Sequence, residues 1–197
     1  MSQIVEAMSD ADLLGMMVGS KTAARMLQDA GGSLSTLLNQ SIPSYDLQSK
    51  ANTKLQAAKE LVRRSLLETV RHQDALSSPA SVRDYLRMTL TGRDYEVFVV
   101  LFLDAQNRVI ESEEMFRGTL TQTSVYPREV VKRSLFNNAA AVIFAHNHPS
   151  GVAEPSHADE LLTQSLKQAL ALVDVRVLDH FVIAGGSVMS FAERGLV

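Results

Sequence analysis

Ala139-Ala140-Ala141-Val142-Ile143-Phe144-Ala145-His146-Asn147-His148-Pro149-Ser150-Gly151-Val152-Ala153-Glu154-Pro155-Ser156-His157-Ala158-Asp159 reads as a buried strand, a broken loop and the start of a helix. The run from Ala139 to Ala145 holds no polar residue, which suits a strand covered on both faces, and it ends at His146. Pro149, Gly151 and Pro155 then force a loop. A helical pattern runs from Ser156 to about Val173, so the segment is one strand-loop-helix step of an α/β domain.

The same stretch carries the most informative chemistry. Two histidines at i and i+2 on extended backbone point to one side, so the imidazoles of His146 and His148 can reach one ion at about 2.0–2.1 Å. The helix beginning near Ser156 brings the carboxylate of Asp159, in its first turn, back toward that pair. Three ligands of His, His, Asp type leave a fourth position open, as a catalytic zinc site requires and a closed structural one does not. Two plainer readings stand beside this one. A His-x-His pair at a strand end also serves packing or hydrogen bonding, and Ser156-x-x-Asp159 equally spells a helix capping box.

Outward from this segment the chain divides in two. A helix is expected over Ser81 to Leu90, followed by Val97-Phe98-Val99-Val100-Leu101-Phe102-Leu103, seven apolar residues suited to a central strand. Asp104 to Asn107 makes a turn, Arg108 to Phe116 a returning strand, and Arg128 to Asn137 a helix. Strands at Val175 to Ala184 and Val188 to Phe191 complete a mixed α/β sheet sandwiched by helices. Before Ser77-Ser78-Pro79 the pattern is different. From Asp10 to about Arg71 apolar residues recur at helical spacing, broken by Gly31-Gly32 and Ile42-Pro43-Ser44, which predicts three or four short helices. The expected organisation is a small all-α domain over residues 1–76 and the α/β domain over residues 77–197.

Bulk properties exclude several classes. With 46% hydrophobic and 21% charged residues the composition is that of a folded globular chain rather than a disordered one. A formal net charge of −3 gives no global attraction to nucleic acid or anionic lipid. There is no cysteine, so no disulfide framework or thiolate chemistry exists and a metal must be held by histidine and carboxylate. The opening MSQIVEAMSD has neither a positive n-region nor a long apolar core, and no window approaches the roughly 18 apolar residues of a spanning helix. The expectation is a cytoplasmic protein with no membrane partner.

His-x-His-Pro, six residues, Ser, two residues, Asp resembles the signature of the JAB/MPN metalloenzymes, the JAMM motif, shared with deubiquitinating isopeptidases. Gly118-Thr119-Leu120, Pro127-Arg128-Glu129, His146-Asn147-His148-Pro149-Ser150-Gly151 and Leu178-Asp179-His180 resemble the bacterial RadC-like branch more specifically, over roughly residues 80 to 197. The resemblance implies a JAB/MPN, cytidine-deaminase-like fold, one Zn²⁺ per chain on His146, His148 and Asp159, and a Ser156 hydroxyl that helps stabilise an oxyanion. It also implies a glutamate, early in the strand after the domain's first helix, that passes the proton of the attacking water to the leaving amine. Glu96 matches that place, with Glu111, Glu113 and Glu114 as rival carboxylates in the next strand. Asp179-His180 is a candidate for a hydrogen bond to a ligand, with a structural histidine as the alternative. His157 is expected to face solvent, and Thr119 and Arg128 match branch positions without an assigned task.

The implied activity is zinc-dependent hydrolysis of peptide or isopeptide bonds in a peptide or protein substrate. The alternative is a non-catalytic zinc-binding scaffold associated with DNA repair or maintenance. The helical region from Ser9 to Arg64 resembles the N-terminal domain of RadC-like proteins, where a helix-hairpin-helix element contacts the DNA backbone. The corresponding stretch Asp46-Leu47-Gln48-Ser49-Lys50-Ala51-Asn52-Thr53-Lys54 lacks the Gly-x-Gly whose bare amides approach phosphate. Lys50, Lys54, Lys59, Arg63, Arg64 and Arg71 against Glu60 and Glu68 make one basic segment, read first as a solvated helix face and second as a DNA contact.

Overall fold

The computed structural model of the chain describes residues 5–39, 49–118 and 125–197. The Ile42-Pro43-Ser44 break, residues 46–48 of the hairpin stretch, Thr119 and Leu120 lie outside the described residues. Two compact units divide at Arg64 and Ser65.

In the first unit, α1 (Asp10–Val18), α2 (Ser20–Asp29), α3 (Leu34–Asn39) and the start of α4 (Lys50–His72) bury Leu14, Ala23, Met26, Ala30, Leu37 and Leu55 in one small core. The Ser9 hydroxyl caps α1 by accepting the Asp12 N–H. Gly19, at φ 89°, ends α1 and opens α2, a conformation that strains any residue with a Cβ. The helical region thus ends not in another short helix but in one of 23 residues. No glycine or proline interrupts α4, and Glu60 pairs with Arg63 and Arg64 one turn on. Those two arginines hold the Glu60 carboxyl down at about 2.

The second unit begins within α4. Val70 is buried, Leu66 and Leu67 pack beside it, and Ala75 follows in the same cluster. After α5 (Pro79–Leu90) come β1 (Val97–Leu103), β2 (Val109–Arg117), α6 (Pro127–Phe136), β3 (Ala141–Asn147), α7 (His157–Ala171), β4 (Arg176–Ala184) and β5 (Ser187–Ser190). The strands form one sheet in the order β2-β1-β3-β4-β5, antiparallel except for the parallel β3–β4 pair joined through α7.

Strand periodicity assigns the faces. Val97, Val99, Leu101 and Leu103 of β1, with Ala141, Ile143 and Ala145 of β3, pack under α5 against Val82, Tyr85, Leu86 and Leu90. Phe98, Val100 and Phe102, with Val142 and Phe144, pack on the opposite face against Val130 of α6 and Leu166 and Leu170 of α7. All seven residues of β1 are buried because the strand has neighbours on both edges and helices on both faces. The sandwiched mixed sheet expected from the sequence is the observed one.

The expected boundary near residue 76 and the division at Arg64 and Ser65 differ by the end of one helix, whose apolar residues belong to the α/β core. Each fully buried Val- or Leu-sized side chain contributes about 1.5–3 kcal/mol. A chain starting at Ser65 is therefore expected to unfold cooperatively, and one starting at Ser77 to melt well below it. Thermal unfolding followed by circular dichroism measures this; equal midpoints would place the boundary at 76.

Candidate metal centre

His146 follows Val142 and Phe144 on the α7 face of β3, directly across from Phe98 in the antiparallel pair with β1. His148 lies one residue past the strand, and its N–H donates to the Ile183 carbonyl of β4 at 2.9 Å, extending the ladder. Its ring is turned by an Nδ1–H to Val152 carbonyl bond of 2.9 Å, made possible by the reversal at Gly151, φ 81°. Since that nitrogen must donate to a carbonyl, the neutral ring keeps its lone pair on Nε2. The chain then reaches Ser156, the N-cap of α7.

The capping-box and metal readings of Ser156-x-x-Asp159 are met by one geometry. The Ser156 oxygen accepts the Asp159 N–H at 3.2 Å. Asp159 Oδ2 in turn accepts the Ser156 N–H at 2.7 Å and its hydroxyl at 2.6 Å. The box fixes the carboxylate rotamer, and so fixed it faces both imidazoles: His146 Nε2 to Oδ1 is 3.3 Å and His148 Nε2 to Oδ2 is 3.5 Å.

His146 Nε2 and His148 Nε2 are 2.9 Å apart. Ligand atoms at about 2.0–2.1 Å from a tetrahedral zinc lie about 3.3 Å from one another, so these separations bracket the edges of a zinc site. His146, His148 and Asp159 are the one set of three potential ligands among the described residues, with their ligand atoms within 4.8 Å of one another. Electrostatics agree. Burial alone would raise the Asp159 carboxyl, yet hydrogen bonds from His146 and His148, the charge of His146 and the Ser156 hydroxyl hold it far below the usual carboxylate range. The bond to Asp159 raises the His148 imidazole against its burial, with the Val152 carbonyl and the charges of Asp159 and Glu96 adding to the effect. Two imidazole nitrogens and a carboxylate converging in this way suit a cation, and a His/carboxylate set of this kind fits zinc.

Glu96 stands half-buried immediately before β1, close enough to His148 for its charge to act there. Its backbone is held on both sides by a residue that sequence reasoning passed over. Asn147, the middle residue of His-x-His, is buried; its Oδ1 accepts the Val97 N–H at 2.8 Å and its Nδ2 donates to the Tyr95 carbonyl at 2.9 Å. Only a primary amide makes both bonds, so one residue between the two histidines also pins the peptides flanking Glu96. Asn147→Ala leaves the buried Val97 N–H unpaired, a cost of about 1–3 kcal/mol. Chemical denaturation should report that loss, and an unchanged midpoint would show that water replaces the amide.

The rival carboxylates are taken up by arginines: Glu111 by Arg71, Glu113 by Arg133 and Glu114 by Arg93 and Arg117. His180 is fully buried between Phe144 and Phe191, its Nε2 2.8 Å from His146 Nδ1. Burial pushes its pKa well below the usual value. Asp179 does not join it at the centre. Its carboxylate accepts from the Ser190 hydroxyl and from the His180 and Ala192 amides, and burial raises its pKa. His157 is exposed beside Glu160, and Arg128 is exposed beside Glu129.

Comparison with known proteins gives the family of the α/β unit. The profile of the RadC-like JAB domain family matches residues 76–196. A UPF0758 protein of Nitrosomonas europaea is 56% identical over 202 residues, covering 97% of this chain and 90% of the relative. A UPF0758 protein of Chromobacterium violaceum is 52% identical over 206 residues, 99% of this chain and 92% of its own length. One of Thiobacillus denitrificans is 68% identical over 141 residues, 72% of this chain and 63% of the relative.

Proposed function

The chain belongs to the RadC-like JAB domain family, and from that premise we propose that it is a zinc-dependent hydrolase of peptide or isopeptide bonds. The observation that carries this reading is the convergence of His146 Nε2, His148 Nε2 and the Asp159 carboxylate on one point. His146, His148 and Asp159 would hold the ion, which when bound would supply Lewis acidity and an activated water at neutral pH.

The remaining work falls to the chain. Glu96, anchored by Asn147 through Tyr95 and Val97, takes the proton of the attacking water and returns it to the leaving amine. Ser156 turns its exposed hydroxyl from the Asp159 carboxylate toward the oxygen on which negative charge develops. The buried wall of Phe98, Phe144 and His180 behind His146 keeps water from the far side of the site. A hydrolase of the JAB superfamily is thereby supplied with a base, an oxyanion donor and a ligand set.

The test is hydrolysis of short peptides and isopeptide-linked lysine substrates by the full chain, before and after chelation. Cleavage that is abolished by chelator and restored by stoichiometric zinc supports the proposal. Zinc-loaded protein that cleaves neither class would favour the non-catalytic scaffold.

A further inference from the structure

Thr163 and His180 lie behind the ligands, and their hydrogen bonds admit only one arrangement of protons. The Thr163 hydroxyl is 2.6 Å from the Asp159 carbonyl oxygen and 2.7 Å from His180 Nδ1. A carbonyl can only accept, so the single hydroxyl proton goes to Asp159. Thr163 must therefore accept from His180, which places a proton on His180 Nδ1 and leaves Nε2 bare. His180 Nε2, 2.8 Å from His146 Nδ1, then accepts the His146 Nδ1–H. That leaves the His146 lone pair on Nε2, the atom aimed at His148 and Asp159. The relay begins on the backbone of one candidate ligand and ends on the ring of another.

Its parts are immobilised. Thr163 and His180 are both fully buried. The His180 ring meets Phe98 and Phe144 edge-on, with centroids at 5.6 Å and 5.8 Å, and stacks on Phe191 at 4.8 Å. A ring held on three sides by aromatic neighbours cannot turn to offer a different atom. We infer that Thr163 and His180 are positioning residues which fix His146 in its Nδ1–H tautomer, so that its Nε2 lone pair is presented to the metal. The inference rests on the metal reading of the site and deepens it. Partners of this kind commonly govern metal affinity by 10–100-fold.

Thr163→Val keeps the shape and removes the acceptor. His180 is then free to carry its proton on Nε2 and donate to His146 Nδ1, which moves the His146 proton onto Nε2 and caps the lone pair. Thr163→Ser keeps the hydroxyl. The first readout needs neither metal nor activity: ¹⁵N imidazole shifts of the metal-free protein report the tautomer of His146. The expected result is Nδ1–H in wild type and Thr163→Ser, and a shift toward Nε2–H in Thr163→Val. The second is competition for zinc against a chromophoric chelator, with affinity about tenfold weaker in Thr163→Val and within twofold of wild type in Thr163→Ser. A wild-type His146 protonated on Nε2 overturns the relay even where Thr163→Val fails to fold, and so does unchanged zinc affinity in a folded Thr163→Val. Wild-type protein with the Nδ1–H tautomer and no affinity for zinc would instead overturn the metal reading and leave the relay standing.

Discussion

Glu96→Gln is expected to keep the fold and the zinc while losing hydrolysis by about 10²–10⁴-fold, the usual contribution of a general acid–base residue. Glutamine has nearly the shape and hydrogen-bonding reach of glutamate, and the Asn147 clamp acts on the backbone on either side of position 96, so placement of the side chain is preserved. What is removed is the proton acceptor. The fall should appear in kcat and in kcat/KM alike, because proton transfer is a transition-state interaction. Zinc content measured on the same sample separates this from loss of the ion. Wild-type turnover by Glu96→Gln would move the base elsewhere, and Glu111, Glu113 and Glu114 would each have to leave an arginine to serve.

Asp159→Asn is expected to lose zinc and activity together. The amide oxygen can still accept the Ser156 N–H, so the start of α7 survives, but the negative charge balancing the cation is gone. Because the loss is one of affinity, excess zinc should restore part of the activity. Rescue distinguishes this variant from Glu96→Gln, for which added metal does nothing. An Asp159→Asn protein that holds zinc as tightly as wild type would show that the carboxylate serves α7 as a cap and no more.

The central sheet was legible because its strands obey simple rules. Val97 to Leu103 is a bounded apolar run and occupies the strand assigned to it, and the helix from Ser156 carries its own start signal. The ligand candidates were legible through spacing, since the strand end, the loop and the first helical turn are contiguous in sequence. Asn147 and Thr163 were not. An asparagine between two histidines looks like a variable position, and a threonine in the second turn of a helix looks like filler. Their significance comes from Tyr95, Val97 and His180, which are remote in sequence and near only in the folded sheet. The division of α4 between two cores has a related origin. Nothing in the local pattern of α4 marks Ser65, because the change there is in which core the helix packs against. Gly19, whose positive φ separates α1 from α2, was not among the breaks read from the sequence.

The measurement that bears most directly on this account is the zinc content of the purified chain, determined by elemental analysis after mild chelation and dialysis against trace zinc, for wild type beside His148→Ala. His148 supplies one of the three converging atoms, and its ring lies outside the strand ladder, half-buried, so its truncation spares the core. About one zinc per chain is expected in wild type and close to none in His148→Ala, with both proteins folded. Equal zinc in the two, or none in wild type, would contradict a metal centre built on His146, His148 and Asp159.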